Sequence, residues 1–348
     1  MGTRRRRVSV KSGRSKPVKW DDLRMEFISK CTADTILNAA QALINGHLVA
    51  FPTETVYGLG ADATNEKAVS RIYSVKGRPV GHPLIVHISS INKLDQWATD
   101  IPDYAIKLAR EFWPGPMTLI LPRKKIAQDF ITGGQGNVGL RVPAQPIALT
   151  LLKKFEELGG LGVAAPSANR FGAVSPTSAE AVQEELGDYL APSDLVLDGG
   201  QSQVGIESTI VNCTNSIPQI LRPGVILSQM LTDATGIEFA SCNFDSIKVS
   251  GALSSHYQPK ARVIINQEPN SGDGLIALDI IKTPKGVTRL SNPKNLKELA
   301  RQLYAAFRYA DNLKIKNIHV NLPVGEGIEL ALYDRVYKAS QSTSKSIV

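Results

Sequence analysis

Apolar positions between residues 34 and 222 alternate between helical spacing and short continuous runs. In DTILNAAQALING they recur every three or four residues, which predicts a helix that begins at Asp34 and ends at Gly46. The next run, residues 47–51, predicts a strand that stops at Pro52. The same reasoning predicts helices at about 65–75, 103–112, 147–158 and 179–186, and strands at 83–88, 118–121, 138–142 and 161–165. This alternation is typical of an α/β fold.

Three further short apolar runs, at 195–197, 209–212 and 219–221, follow one another without room for helices. Some of these strands must therefore pair antiparallel, which predicts a mixed sheet. The pattern changes after Gly224: residues 225–260 hold one short helical stretch and then polar, irregular sequence, which predicts a linker. Alternation restarts at Ala261 and predicts a second, smaller α/β domain, with strands at 261–266, 275–280 and 317–322 and helices at 296–313 and 328–339.

The net charge of +8 comes from one end of the chain. The 348 residues include 40 Lys and Arg against 32 Asp and Glu, but eight of the cations lie in residues 1–19, which contain no acid. The remaining chain is formally neutral, which argues against a basic nucleic-acid-binding face. A block of like charge with Ser, Gly and Pro predicts a disordered extension over residues 1–30, with an organelle transit peptide as the alternative.

The cysteines and several missing motifs narrow the chemistry. Cys31, Cys213 and Cys242 show no CxxC or CxxH spacing, which excludes a zinc cluster and a disulfide scaffold and favours a reducing, cytoplasmic location. No apolar run approaches the roughly 20 residues that span a bilayer, so no membrane association is expected. GxSxG and HExxH are absent, which leaves little support for acyl-enzyme or zinc chemistry.

Polar side chains cluster in six short segments: FPTETVYGLG, KGRPVGHPLIVHI, GGQGNVGLRVP, APSANRFGAVSPT, GIESTIVN and ILRPG. Each segment alone has a structural alternative, since threonines can pair across a sheet, an interior His is usually a core residue, and Lys and Arg at a helix end complement its dipole. Loops at the carboxyl ends of strands converge in open α/β sheets, so we expect these segments to meet at one rim of the sheet. Cations and hydroxyls together favour an anionic substrate whose reaction needs charge neutralisation.

The six segments, in this order and spacing, resemble the YrdC-like domain of the L-threonylcarbamoyl-AMP synthases. SSHYQP, LARQLYAAFRYAD and LYDRV further along the chain resemble the two-domain form of that family. The resemblance implies a YrdC-like mixed twisted sheet with flanking helices at 31–224, a linker or lid at 225–260, and a small Rossmann-like α/β domain at 261–345.

This resemblance implies a nucleotidyltransferase that makes L-threonylcarbamoyladenylate from L-threonine, bicarbonate and ATP and releases pyrophosphate, with Mg²⁺ accompanying the ATP. The product would feed the threonylcarbamoyl modification of the adenosine beside the anticodon of tRNA, through a separate transferase complex, so tRNA binding is not required here. One alternative is an RNA-binding YrdC-like module without catalysis. Another is a carbamoyl transferase related to hydrogenase maturation enzymes, whose additional modules this chain lacks.

The resemblance also carries residue roles onto matching positions of this sequence. Lys76 and Arg78 are expected to neutralise charge during catalysis, with Lys76 as a phosphate ligand and Arg78 as a surface cation. The linker Tyr257, beside His256, is expected to fold back over the nucleotide. His82 stands where the family more often has Asn or Asp. The expected ATP contacts are Arg78, His82, Asn137, Ser167, Ser175, Arg222 and Tyr257. The expected threonine contacts are Thr55, His87, Arg141, Ala165 through its backbone, and Ser208.

Overall fold

A computed structural model describes residues 32–240, 247–249, 251 and 256–341. The predicted extension, Cys31, Cys242 and part of the predicted linker lie outside these residues, whereas Cys213 is buried. Within the described ranges the first nine strands are β1 (Val49–Phe51), β2 (Gly58–Asp62), β3 (Ile85–His87), β4 (Met117–Pro122), β5 (Asn137–Arg141), β6 (Val163–Ala164), β7 (Leu195–Val196), β8 (Thr209–Asn212) and β9 (Gln219–Arg222).

These strands form one mixed sheet in the order β7-β1-β2-β6-β3-β5-β4-β8-β9. β3 pairs parallel with β5, and β4 pairs parallel with β8, whereas β1–β2, β2–β6, β3–β6, β4–β5 and β8–β9 are antiparallel. The prediction of a mixed sheet is therefore confirmed: of the three short runs, β8 and β9 pair antiparallel, whereas β7 pairs parallel with β1. The β3–β5 register places His87 opposite Arg141, which brings two predicted site residues side by side.

Helices cover both faces of this sheet. They are α1 (Ala33–Ile44), α2 (Glu66–Lys76), α3 (Leu94–Trp97), α4 (Asp103–Phe112), α5 (Asp129–Thr132), α6 (Pro146–Glu157), α7 (Ala179–Leu186) and α8 (Ser228–Thr235), with 3₁₀ turns at Ile91–Lys93 and Gly187–Tyr189. On one face, α1 and α6 pack on β1 and β6 through residues such as Leu43, Phe51 and Leu151. On the other, α2, α3 and α4 pack on a larger core that includes Leu59, Ile72 and Trp97.

The strand β2 was not predicted, because glycines such as Gly58 and Gly60 are more common in turns than inside strands. Crowding explains these glycines: a Cβ on Gly60 would lie 2.8 Å from both Phe51 and Val163. β2 needs a residue without a side chain to lie this close to its neighbours. The turn therefore lies earlier, between β1 and β2, and it carries Thr53 and Thr55.

The start of α1 differs from the prediction, and the end of α2 sets the direction of the chain at Arg78. α1 begins at Ala33, just before the predicted start, because Thr32 caps it by accepting from the backbone N–H of Thr35, and Asp34 lies in the first turn. α2 ends at Gly77, whose φ of +59° is the left-handed conformation that glycine adopts without strain. This ending turns the chain so that Arg78 leaves the helix toward the sheet.

A second sheet lies near the carboxyl terminus. Within the described part of the chain it contains β10 (Arg262–Ile265), β11 (Gly274–Ile276), β12 (Thr288–Ser291) and β13 (Asn317–Val320), all parallel in the order β10-β13-β11-β12, with α9 (Leu296–Asn312) and α10 (Ile328–Ser340). The α/β prediction for this region is confirmed, although β12 was missed. The boundaries at 224 and 260 stay predictions. None of the helices in the described ranges is long and apolar enough to cross a bilayer.

Apolar packing continues between the two sheets. One buried cluster joins Val56, Val174 and Ile206 of the first region to the linker Tyr257 and to residues of α9 and α10 such as Leu303 and Val336. The second sheet and its helices are therefore packed against the segments that carry the predicted site.

Candidate active site

A cavity of about 560 Å³ lies over one face of the large sheet. Ile85 and His87 both line it and are two residues apart on β3, so they project from the same face. The predicted segments do meet around one cavity, and it lies over this face of the sheet, between the part that α1 and α6 cover and the part on which linker Val249 packs. Its lining includes the predicted residues Thr55, Arg78, His87, Arg141, Ala165, Ser167, Ser208, Arg222 and Tyr257.

Arg141 is held by the loop between β1 and β2. Its Nη2 lies 2.5 Å from Glu54 Oε1, and its Nη1 donates to Thr55 Oγ1 at 2.9 Å. The second Glu54 oxygen accepts from the backbone N–H of Ala144 at 3.0 Å. Both side chains of the ion pair are about 5% exposed. The guanidinium is therefore fixed at the cavity wall, with a planar fork that suits a carboxylate.

His87 is a neutral side chain at neutral pH. Burial, with Arg141 close by, lowers its pKa to about 3, and its ring meets Phe51 edge-on at 6.0 Å. His256, on the linker side of the cavity, is also buried, and its pKa is lowered to about 3, again chiefly by burial. Neither ring is an imidazolium at pH 7, so neither acts as a cationic general acid.

These two histidines predict an acid-sensitive fold. Their pKa values are lower in the folded state than the usual 6.5, so below pH 6.5 protons bind preferentially to the unfolded chain. The unfolding free energy is therefore greatest above pH 6.5 and falls as the pH drops toward 3. At pH 5 each should cost on the order of 1–2 kcal/mol of unfolding free energy. Urea unfolding at pH 7.5 and 5.0 should show a smaller pH difference in the His87→Gln and His256→Gln proteins than in the wild type. An unchanged difference would contradict the assignment.

Arg78 is buried, which corrects the expectation of a surface cation. Its Nη2 donates to the carbonyl oxygen of Pro83 at 3.1 Å, and its guanidinium lies 5.8 Å from the ring centre of Phe171. Among the described residues it forms no ion pair, and its Nε has no hydrogen-bond partner. Burial lowers its pKa to about 10, so it stays charged at neutral pH. A buried cation without a carboxylate favours an anionic ligand.

Lys76 does not reach the cavity. Its Nζ donates to the backbone carbonyls of Ser167, at 2.6 Å, and Asn169. Burial, and then the charge of Arg78, lower its pKa well below the usual range. The structure thus places Lys76 behind the loop that carries Ser167, which is a position for holding the loop and not for contacting a phosphate.

Ser208 and Arg222 line the cavity and contact each other. Ser208 Oγ lies 2.8 Å from Thr118 Oγ1 and accepts from Arg222 Nη2 at 3.0 Å. Arg222 Nε donates to the backbone carbonyl of Ser208 at 3.0 Å. Ala165, on the same face, already donates its backbone N–H to Ile85, so a backbone contact to a ligand would use its carbonyl oxygen.

Tyr257 closes the cavity from the linker. It is 1% exposed, has a φ of +62°, and its ring stacks on Tyr304 of α9 with centres 5.7 Å apart. Its hydroxyl has no hydrogen-bond partner among the residues described, and burial raises its pKa. Gly251 passes beside it: a Cβ there would come within 2.4 Å of the hydroxyl.

Other predicted residues lie outside the cavity lining. His82 packs its ring against Phe171 at 5.5 Å. Asn137 lines a neighbouring cavity of about 300 Å³ that shares Ile85 with the first. Ser175 donates to Glu207 at 2.7 Å. Glu207 itself lines the main cavity and was missed, although it stands beside Ser208 as the acidic residue of GIESTIVN.

Comparisons with known proteins cover nearly the whole described chain. A Sua5/YciO/YrdC family model, described as telomere recombination, matches residues 41–224, and a model described as the threonylcarbamoyl-AMP synthase C-terminal domain matches residues 225–341. Threonylcarbamoyl-AMP synthase of Pyrococcus abyssi is 38% identical, over 87% of this chain and 93% of that protein. Its counterpart in Bacillus subtilis is 36% identical, over 88% and 92%. A crystal structure of Pyrococcus abyssi Sua5 complexed with L-threonine matches with a TM-score of 0.80 and 36% identity, over 89% of this chain and 95% of that one.

Proposed function

The chain belongs to the two-domain Sua5 family of threonylcarbamoyl-AMP synthases, and we propose that ATP, L-threonine and bicarbonate meet in its main cavity. The expectation of an enzyme that makes an adenylate is confirmed by relatives that share both halves of the chain. Those relatives do not favour the RNA-binding alternative or the carbamoyl transferase alternative. The roles of individual residues in the reaction are part of the proposal.

One observation carries the assignment of the nucleotide to this cavity. Two buried polar groups that line it, Arg78 Nε and the Tyr257 hydroxyl, have no partner among the described residues. Leaving such groups unpaired costs roughly 1–3 kcal/mol each, and more for a charged group, so a ligand that pairs with both is favoured. A polyphosphate has acceptor oxygens for each of them. Arg222 supplies a further cation in the cavity lining. Asn137, in the neighbouring cavity, extends the proposed nucleotide site.

The threonine lies on the other side of the proposed site. Arg141 is fixed by Glu54 and Thr55, so its fork is oriented before the amino acid binds. A pre-oriented guanidinium can hold a carboxylate in bidentate fashion at small entropic cost. The Ser208 hydroxyl and the ring of neutral His87 then lie near the threonine side chain and amine.

The chemical steps need positioning and charge neutralisation. The threonine amine attacks bicarbonate, and loss of water leaves a carbamate, a step that depends on proximity. A carbamate oxygen then attacks the α-phosphorus of ATP; the new P–O bond forms as the bond to pyrophosphate breaks. Arg78 and Arg222 offset the charge that collects on the pyrophosphate. The proton that the amine loses leaves with a bicarbonate oxygen as the released water, so this step needs no charged histidine. Linker residues 256 and 257 exclude solvent from these hydrolysable intermediates.

Mg²⁺ belongs in this proposal to the ATP substrate. Within the described ranges, no group of three or more His, Cys, Asp or Glu side chains could hold a metal ion. We assign the ion to the phosphates of the nucleotide. Transfer of the product to tRNA by a separate complex, and a cytoplasmic location, stay predictions from the sequence.

The proposal is tested by mixing the purified protein with ATP, Mg²⁺, bicarbonate and threonine. We expect pyrophosphate release and a threonylcarbamoyl-adenylate mass, both dependent on threonine and on bicarbonate. Serine, which lacks the methyl group, should react less well, by roughly tenfold. ATP consumption without an amino-acid-dependent adenylate would contradict the proposal.

A further inference from the structure

Glu207 is a carboxylate in the wall of a cavity otherwise rich in cations. It is 6% exposed. One oxygen accepts from Ser175 at 2.7 Å; the other accepts from Tyr304 at 2.9 Å and from Arg335 Nε at 2.8 Å. Burial alone would raise its pKa, but Arg335, Arg222 and these hydrogen bonds lower it to about 2. Glu207 is therefore a charged group at neutral pH, and two of its three partners come from α9 and α10.

Arg335 connects three parts of the molecule through one guanidinium. It is fully buried on α10. Besides Glu207 Oε2, it donates to the backbone carbonyl of Pro223 at 3.0 Å, next to Arg222, and its side chain lies 5.5 Å from the ring centre of Tyr257. Lys338, one turn along α10, donates to the carbonyl of Gly251 at 2.8 Å. The same helix thus contacts the cavity wall and the linker residues that cover it.

The C-terminal helix α9 packs closely against the segment that carries Glu207. Gly205, two residues before Glu207, has a φ of +81°, and a Cβ there would lie 2.4 Å from the Cα of Arg301 on α9. A segment packed this tightly cannot shift without moving α9. The position of Glu207 and Ser208 is therefore set by the C-terminal helices.

The negative charge of Glu207 would affect a nucleotide bound beside Arg222. An unpaired carboxylate beside Arg222 would compete with the triphosphate for that cation and repel the phosphates. We propose that Arg335 is a positioning residue for ATP: it pairs with Glu207, so that this carboxylate neither repels the phosphates nor competes with them for Arg222, and so makes the C-terminal domain complete the nucleotide side of the cavity. This inference rests on the function proposed above.

The structure offers a matched control for domain contact. Arg308 of α9 also joins the two regions, through Glu185 of α7 at 3.1 Å and the carbonyl of Val174, but it does not line the cavity. A general weakening of domain contact should affect the Arg308→Gln and Arg335→Met proteins alike. A role in ATP binding should affect only the second.

The experiment measures equilibrium binding of MgATP by calorimetry, together with KM for ATP and for threonine. Arg335→Met should weaken ATP binding by roughly tenfold or more, with KM for threonine changed by less than about threefold. Glu207→Gln in the same chain should return ATP affinity to within about threefold of the wild type, because residue 207 is then uncharged and Asp334, which also pairs with Arg335, keeps its ion pair with Lys338. The single Glu207→Gln protein closes the double-mutant cycle.

Three outcomes would overturn the inference: unchanged ATP binding in a folded Arg335→Met protein, equal loss in the Arg308→Gln protein, or no recovery in the double variant. If Arg335→Met does not fold, Arg335→Lys and the double variant decide. Both should bind ATP nearly as well as the wild type, because Lys keeps a cation beside Glu207 and the double variant has no carboxylate there. A wild type that binds no MgATP would instead contradict the proposed function, which separates the two failures.

Discussion

Replacing Arg141 with Met should lower kcat/KM for threonine by roughly 100-fold or more, with a smaller effect on ATP binding. The substitution removes the proposed carboxylate ligand and also leaves Glu54 buried without its cation. An uncompensated buried charge of this kind costs about 3–5 kcal/mol of unfolding free energy. Pyrophosphate release at varied threonine, together with chemical unfolding, checks both parts.

Glu54→Gln provides the matched comparison. Gln keeps the shape and one acceptor for Arg141 but removes the ion pair, so the guanidinium gains freedom without being lost. We expect an intermediate threonine KM and a smaller stability loss than in the Arg141→Met protein. If Arg141→Met kept the wild-type KM for threonine, the carboxylate role would have to move to another cation.

The spacing of apolar residues was sufficient to predict most helices and strands, because most of them have a regular apolar period and a residue such as Gly or Pro at the end. α4 was predicted with its observed ends, Asp103 and Phe112, and β8 with Thr209 and Asn212. β2 and β12 were missed for different reasons. Glycine in β2 is required by contacts with Phe51 and Val163 that are distant in sequence. β12, TRLS, is too short and too polar to show an apolar period.

Which cluster residues reach the cavity could be predicted only in part. Thr55, His87 and Arg141 were chosen correctly as neighbours in the fold, since Arg141 bonds to Thr55 and lies opposite His87. Their roles as ligand contacts stay predictions. Lys76 was expected at a phosphate, but its ammonium is satisfied by carbonyls of the loop after β6, about 90 residues further along the chain.

The role of Glu207 depends on contacts with residues that lie far along the chain. Its partners Tyr304 and Arg335 follow it by 97 and 128 residues. Each looks like an ordinary member of an amphipathic helix, and nothing in the local sequence connects them. Buried ion pairs between distant segments are a product of tertiary packing, which periodicity does not report.

Arg78→Met should separate stability from activity. Because Arg78 is a buried cation with no carboxylate partner among the described residues, its removal relieves a desolvation cost, and the depressed pKa of about 10 gives the direction. We expect the unfolding free energy at pH 7 to rise by on the order of 1–3 kcal/mol. Threonine-dependent pyrophosphate release should fall by about 100-fold or more, because the cation would stabilise charge that develops in the transition state.

The helix that precedes Arg78 supplies the control for this prediction. Arg71 of α2 pairs with Asp194 at 2.6 Å, neither residue lines the cavity, and the Arg71 side chain is 34% exposed. Arg71→Met should therefore lower stability, because Asp194 stays buried without its cation, and should leave pyrophosphate release unchanged, the reverse of Arg78→Met. A fold is expected to tolerate an unpaired buried cation only where a ligand compensates for it. An Arg78→Met protein that is less stable than the wild type yet fully active would therefore contradict the placement of the phosphates in this cavity.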